Sequence, residues 1–383
     1  MRAPRSARTR WCCDQRLARM VRRARAGFGG RSLRRSLLAL TRTAVRAGSR
    51  AMAGVLRAAP GRPALARAKT SKPPRTTVKR SRVKSVPAKR ARAAGPGPAG
   101  GMATGAAGTR LYRLYKPPGV SRSERLPLLV MLHGCAQDAQ GLAASTHMNS
   151  VAARERFVVL YPEQGRLANA QACWNWYDTR AGRAHREADS IVAAIDKVCA
   201  SQPVDPQRIA LAGLSAGASM AALLATRHPE RFDSISMHSG IGPGVAQSPA
   251  GAVMAMRGRK HAAAPMAGSA ALPALLVIQG NSDVIVASSN GANAAQRWAA
   301  HAGAQAGTPR RVQRGARYAA TLTDYRAGGR LVASLCAIHG LGHAWSGGTA
   351  GQPWSDPKGP DASRMVWAFA VRQFALKARD KTS

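Results

Sequence analysis

The stretch Arg208-Ile209-Ala210-Leu211-Ala212-Gly213-Leu214-Ser215-Ala216-Gly217-Ala218-Ser219-Met220 decides the fold. Ile209 to Leu211 is a short apolar run that predicts a buried strand. Ala218 to Arg227 is rich in strong helix formers and predicts a helix. Gly213-Leu214-Ser215-Ala216-Gly217, a G-x-S-x-G pentapeptide, lies between them. Strand, tight turn, helix is the context in which such a serine projects its hydroxyl clear of the backbone at the tip of a strained turn. Gly213 and Gly217 leave room where a side chain would strike the strand or the helix. Ser215 is therefore the expected nucleophile. The Ala216 N–H, at the helix N-terminus, is expected to face the same space.

Upstream, Pro127 to Leu132 is a continuous apolar run, as befits a strand covered on both faces. It runs into His133-Gly134-Cys135-Ala136-Gln137. A loop here, beside the serine turn, is where a second backbone donor to a developing oxyanion belongs, and the Cys135 N–H takes that role. His133, at the strand end, reads as a loop-fixing residue rather than a base. Leu111–Lys116 and Phe157–Leu160 predict further strands. Gly141–Arg154 and Glu187–Ala200 predict helices. Between them, Cys173-Trp174-Asn175-Trp176-Tyr177 places three aromatics in five residues on an irregular loop. They either wall a substrate cleft or pack the loop onto the core.

Downstream, strands are expected at Phe232–Met237, Pro273–Ile278, Thr321–Arg326 and Leu331–Ile338, and helices at Ser288–Gly303 and Asp361–Lys377. Residues 244–271, rich in Gly, Ala and Met, interrupt this rhythm and read as a cap or lid excursion. Asp283 stands just past the 273–278 strand. His343 stands in a Gly-rich loop after the last strand. Ser, then Asp, then His is the chain order of a triad on such a sheet. Asp283 is the expected acid and His343 the expected general base, with His339 its local competitor. Trp174, Trp176 and Trp345 are expected to border the acyl site.

Composition divides the chain. Its 383 residues carry 59 Lys and Arg against 17 Asp and Glu, a formal net charge of +42. Residues 1–100 hold 28 of those bases and a single acid, Asp14. Such a segment buries too little apolar surface to offset its ordering entropy, so 1–108 is expected to be a basic, largely disordered arm and linker. Within it, 32–56 has weak amphipathic helical spacing, 69–92 is broken by prolines, and 94–108 is a Gly/Ala/Pro linker. The arm suits an anionic surface such as a membrane, polyphosphate or nucleic acid. It carries no motif of a folded nucleic-acid-binding module. No run of 18 apolar residues predicts a transmembrane segment. Residues 109–383 are expected to form one catalytic domain.

The set L-H-G-C-A-Q, L-Y-P-E-Q, C-W-N-W, G-L-S-A-G-A-S-M-A, H-S-G and G-L-G-H-A-W-S-G-G, in this order, resembles the poly(3-hydroxybutyrate) depolymerase family of esterases. The resemblance covers roughly residues 110–375. It implies an α/β-hydrolase fold, a mostly parallel central sheet flanked by helices. It implies a serine carboxylesterase without metal or cofactor, with Ser215, Asp283 and His343 as its triad and Cys135 at the oxyanion loop. It also implies a disulfide between Cys135 and Cys173. Its substrates would be poly- or oligo-(3-hydroxyalkanoates), or, as in related feruloyl and acetyl-xylan esterases, small or plant-cell-wall esters. The family points to export, with the cytoplasm or a storage granule as alternatives. The reading from another class is a polyanion- or granule-binding protein tethered by its arm. One departure is visible: the acid loop reads Q-G-N-S-D where H-G is more usual before the acid.

Overall fold

The computed structural model describes residues 99–105, 108–259, 266 and 271–380. The arm helix over 32–56, the extended segment over 69–92 and much of the second half of 244–271 lie outside the described residues.

In chain order the described elements are β1 (Ala99–Gly105), β2 (Gly108–Tyr115), β3 (Leu126–Leu132), α1 (Ala139–Thr146), α2 (Met148–Glu155), β4 (Val158–Pro162), α3 (Arg183–Ser201), β5 (Val204–Leu214) and α4 (Ala216–Arg227). There follow β6 (Ser234–His238), α5 (Pro249–Met256), β7 (Ala274–Gly280), α6 (Ser289–His301), β8 (Gln305–Ala306), β9 (Arg310–Val312), β10 (Ala320–Ala327), β11 (Arg330–Ile338), β12 (Trp345–Ser346), β13 (Ser355–Asp356) and α7 (Ala362–Asp380). The main sheet runs β1-β2-β4-β3-β5-β6-β7-β11-β10-β8, with β9 also on β10. The six strands from β4 to β11 are parallel, and antiparallel pairs close both ends.

β3, at the middle of the sheet, is apolar on every residue because both of its faces are covered. Along β3, Leu128, Val130 and Leu132 enter one core while Leu129 and Met131 enter the other. Along β5, Ile209 and Leu211 alternate in the same way with Ala210 and Ala212. This period of two is the strand geometry itself. The first core is completed by α3, α4 and α6, through Ile191, Ile195, Leu224 and Trp298. The second is completed by α1, α2 and α7, through Leu142, Val151 and Phe369. Burying a side chain of this size stabilises by roughly 1.5–3 kcal/mol before the entropy cost is counted.

Two local expectations need correction. Residues 99–105 are not linker: they form β1, antiparallel to β2, with Met102 opposite Leu111. The helix expected over 141–154 is two helices, broken where His147 takes a left-handed φ of 43°. Asp138 caps the first, accepting the Gly141 N–H at 2.7 Å. Among the described residues no helix is long and apolar enough to cross a membrane.

Candidate active site

The parallel strands deliver their C-terminal ends to one edge of the sheet, and the chemistry-bearing residues collect there. β5 ends at Leu214 and α4 begins at Ala216, so Ser215 is the whole turn. Its φ of 57° and ψ of −122° lie in a region that side-chain-bearing residues rarely enter. The surroundings dictate the two glycines. A Cβ on Gly213 would collide with the backbone of Gly217, and one on Gly217 would collide with the carbonyls of Leu132 and His133. The turn is anchored by the Ser215 N–H, which donates to the His238 carbonyl at 2.9 Å.

Asp283 and His343, sixty residues apart, meet at this edge. His343 Nδ1 lies 2.7 Å from Asp283 Oδ2, and neither side chain is more than 5 % exposed. The other carboxylate oxygen, Oδ1, accepts the N–H groups of Ile285 and Val286 at 3.0 and 2.8 Å. Burial alone would raise the Asp283 pKa. The hydrogen bond and charge of His343, with the two backbone donors, outweigh it and hold the group below the ordinary carboxylate value. Asp283 is thus kept ionised, and its partner nitrogen is fixed as Nδ1–H. The competitor His339 is exposed and pairs with Thr321 Oγ1 at 2.9 Å instead.

The loop after β3 is tied down from several directions. Gly134 N–H donates to Gln137 Oε1, Ala136 N–H to the Gln171 carbonyl, and Gln137 N–H to the Gly134 carbonyl. None of these bonds uses the N–H of Cys135. A disulfide joins Cys135 to Cys173, with Cα atoms 4.3 Å apart. His133 is fully buried and accepts the Gln164 N–H on Nε2 at 3.0 Å while Nδ1 faces the Gly134 carbonyl at 2.8 Å. It is a loop fastener, as its position at the strand end implied.

Beneath the disulfide lies a buried polar network. Arg110 of β2 donates to Ser190 Oγ, Gln164 Oε1 and the Glu163 carbonyl, and stands 5.1 Å from the Trp174 ring centroid. Glu187 of α3 accepts from Gln164 Nε2 and from the Asn175 backbone N–H, each at 2.8 Å. The network fixes the 173–177 loop and explains a correction. Trp174 does not border the cleft: it is fully buried, and its indole N–H is turned inward to the His133 carbonyl at 3.0 Å. Trp345 is also core. It stacks on His238 and donates to Ser363 Oγ at 3.0 Å. Of the three expected tryptophans only Trp176 reaches the cleft.

Ser215 stands between two clefts. One, with about 330 Å³ of open space counted to its mouth, is walled by Cys135, Trp176, Ile241, Met256 and Val286, with Ser219 and Ser239 among its lining. The other, about 220 Å³, is lined by Gly134, Gln137, His343 and Trp354. Serine, imidazole and carboxylate converging on a crevice with backbone donors nearby can activate a hydroxyl for attack on a carbonyl. Among the described residues no cluster of three or more His, Cys, Asp or Glu could hold a metal ion.

The family model described as Esterase PHB depolymerase matches residues 110–317, just over half of the 383-residue chain. The chain belongs to the esterase PHB depolymerase family. Poly(3-hydroxyalkanoate) depolymerase C of Paucimonas lemoignei is 37% identical over 107 residues, 28% of this chain and 26% of that protein. Poly(3-hydroxybutyrate) depolymerase of Ralstonia pickettii is 26% identical over 65% of this chain and 54% of its own length. Feruloyl esterase B of Neurospora crassa is 29% identical over 30% of this chain and 39% of its own. The chain thus spans about a quarter to a half of the curated relatives it matches. Among solved structures, acetyl xylan esterase from Aspergillus awamori superposes with a TM-score of 0.52 at 18% identity, over 64% of this chain and 94% of that one. The fold is an α/β-hydrolase.

The matched segment of this esterase PHB depolymerase chain includes Ser215 and Asp283 but ends before His343, which only the folded geometry brings to them. Sequence reasoning missed Trp354, whose ring meets His343 edge-on at 6.0 Å. It missed Gln279, whose Nε2 lies 3.3 Å from Asp283 Oδ2 and so gives the unusual glutamine before the acid loop a local partner. It also missed Arg110 and Glu187, whose roles are invisible without the fold. For Gln279 the departure at Q-G-N-S-D was the available signal.

Proposed function

We propose that this protein is a serine carboxylesterase acting through an acyl-enzyme. The observation that carries the reading is the Asp283–His343 pair bordering the cleft of a serine held in a strained strand-to-helix turn. Ser215 Oγ attacks the ester carbonyl while His343 Nε2 takes its proton. Asp283 steadies the imidazolium. The N–H groups of Cys135 and Ala216 hold the oxyanion, and losing one such donor costs about 2.7–4 kcal/mol of barrier. The acyl group occupies the cleft of Trp176 and Met256, and the alcohol takes the proton from His343 and leaves by the side of Gln137 and Trp354. Water then attacks the acyl-enzyme, with His343 again as base. The relatives' names support poly- or oligo-(3-hydroxyalkanoate) esters as substrates. Feruloyl or acetyl-xylan-type esters are the second reading, favoured by the other relatives. The charge of residues 1–100 supports an anionic surface as the arm's partner.

The test uses the full chain with p-nitrophenyl esters from acetyl to octanoyl, followed by trapping with diisopropyl fluorophosphate. Hydrolysis is expected, stopped by one phosphoryl adduct on the peptide holding Ser215. Hydrolysis that survives stoichiometric labelling of Ser215, or an adduct elsewhere, rejects the assignment.

The acyl cleft also sets a chain-length limit. Met256 ends α5, and that helix is bonded to the loop beyond Asp283: Ala287 N–H donates to the Met256 carbonyl at 2.8 Å and Asn290 Nδ2 to the Ala255 carbonyl at 2.9 Å. This part of the 244–271 excursion is thereby fixed, and Met256 forms a wall of the cleft. Met256→Ala is expected to raise octanoyl relative to butyryl turnover by about tenfold, since pocket volume discriminates by this order per few methylenes. An unchanged kcat/KM ratio would remove Met256 from the acyl cleft.

A further inference from the structure

Gln279 is the penultimate residue of β7 and is buried beside the triad acid. Its amide is turned so that Nε2 faces three oxygens: the Val286 carbonyl at 3.2 Å, Asp283 Oδ2 at 3.3 Å and the Gly280 carbonyl at 3.4 Å. Its Oε1 has no partner among the described residues. Turning the amide over would set Oε1 against three acceptors, so the surroundings settle its orientation. The neighbouring helix leaves room for this side chain. A Cβ on Gly291 of α6 would come within 2.8 Å of Gln279 Cβ and 3.0 Å of its Cγ.

A buried amide with an unmet acceptor is costly where methionine or leucine would fill the same space without that loss. What the glutamine has and they lack is the donor. That donor reaches the oxygen on which the base depends. Asp283 Oδ2 accepts His343 Nδ1–H, while Oδ1 is occupied by the backbone N–H groups of Ile285 and Val286. With Gln279 added, donors meet all of the roughly four lone-pair sites of the carboxylate. The amide also spans from Oδ2 to the carbonyl of Val286, whose own N–H is on Oδ1. One side chain thus ties the acid to its loop.

We propose that Gln279 is a positioning residue of the triad: it holds Asp283 Oδ2 in line with His343 Nδ1 and, by sharing that oxygen, limits how tightly the carboxylate holds the imidazolium. The inference rests on the esterase reading and deepens it. Removing the amide donor leaves the charge of Oδ2 to His343 alone, which favours the protonated ring. The titratable groups facing that ring are Asp283, after β7, and His238, at the end of β6. Trp354 meets it edge-on and does not titrate. Burial holds the His238 pKa down to about 3, so that residue carries no charge in the range where the base titrates.

Gln279→Met is compared with wild type as the full chain, on p-nitrophenyl butyrate, beside a thermal melt. On the plateau of the pH profile kcat is expected to fall about tenfold with KM unchanged, because alignment of the base acts on the chemical step. The lower midpoint of the kcat/KM–pH profile is expected to move up by about half a unit. A loss of packing alone would lower the melt and leave that midpoint in place. Gln279→Glu keeps the shape and serves if the methionine variant folds poorly. Two carboxyl groups this close share a proton, so the glutamic acid donates to Oδ2 at low pH and repels it once ionised. Its kcat/KM relative to wild type is expected to fall by at least about tenfold between about pH 6 and 9. An unchanged kcat or an unmoved midpoint in folded Gln279→Met overturns the proposal, as does a Gln279→Glu profile parallel to that of wild type. Each of these leaves the esterase reading standing, because the wild type still hydrolyses the ester. A wild type that does not hydrolyse it overturns the esterase reading and this inference with it.

Discussion

Asp283→Asn is expected to lower kcat by about 10⁴-fold while leaving the protein folded, because an acid of this kind sets the imidazole tautomer. The local hydrogen bonds say why. Asp283 Oδ1 accepts two backbone N–H groups, from Ile285 and Val286, and Oδ2 accepts His343 Nδ1. An asparagine must keep its oxygen toward the two backbone donors, since turning its amide there would leave both unpaired. Its NH₂ then faces His343. Nδ1 must become the acceptor, and the ring proton moves to Nε2, the nitrogen that has to take a proton from Ser215. The base is present but blocked. Steady-state kinetics with p-nitrophenyl butyrate, alongside a thermal melt, measure both halves. A loss under about tenfold in a folded variant would show that Asp283 is not the triad acid.

The sheet was legible because strands covered on both faces carry an unmistakable pattern. Pro127–Leu132 and Pro273–Ile278 correspond to β3 and β7 within a residue or two. The turn at Ser215 was legible for a stronger reason: only glycine fits at 213 and 217, so the fold leaves its mark on the sequence. β1 was not legible. Ala99-Gly100-Gly101-Met102-Ala103-Thr104-Gly105 has little strand propensity, and its pairing with β2, not its composition, makes it a strand. The 173–177 loop was not legible either. An irregular segment has no period from which to tell inward from outward, so its two tryptophans looked equivalent. What separates Trp174 from Trp176 is the path imposed by the Cys135–Cys173 disulfide and by Glu187, an acid that reads in sequence as a helix-surface residue. His238 likewise looks like a strand-end histidine until the fold places Ser215, Ser239 and Ser346 around it.

Acid should unfold this protein through two histidines that are not part of the triad. Burial pushes the pKa of His133 down to about 4, against smaller opposing contributions. Burial, aided by the nearby charge of His343, pushes His238 down to about 3. In the unfolded chain both titrate near 6.5. A depressed histidine pKa means that the folded state resists a proton the unfolded state accepts. Stability is therefore full above about pH 6.5 and falls with pH until the folded pKa values, about 4 and about 3, are passed. Near pH 5 the unfolded state holds about one extra proton per histidine, each worth about 1.4 kcal/mol per pH unit. Two such groups remove about 3 kcal/mol per unit, a large share of an ordinary domain's 5–15 kcal/mol. Asp283, with its lowered pKa, adds a loss in the same direction at still lower pH, as it too becomes protonated. Urea midpoints at pH 7.5, 6, 5 and 4.5 should fall progressively. His133→Gln, which cannot titrate, should lower the slope between pH 6 and 5 by about half, whatever it does to stability at pH 7.5. A flat profile in the wild type, or the same slope in the variant, would contradict the linkage. The site should fail with the fold. A proton on His238 Nε2 would face the Ser346 N–H, breaking the bond between β6 and the chain just beyond His343.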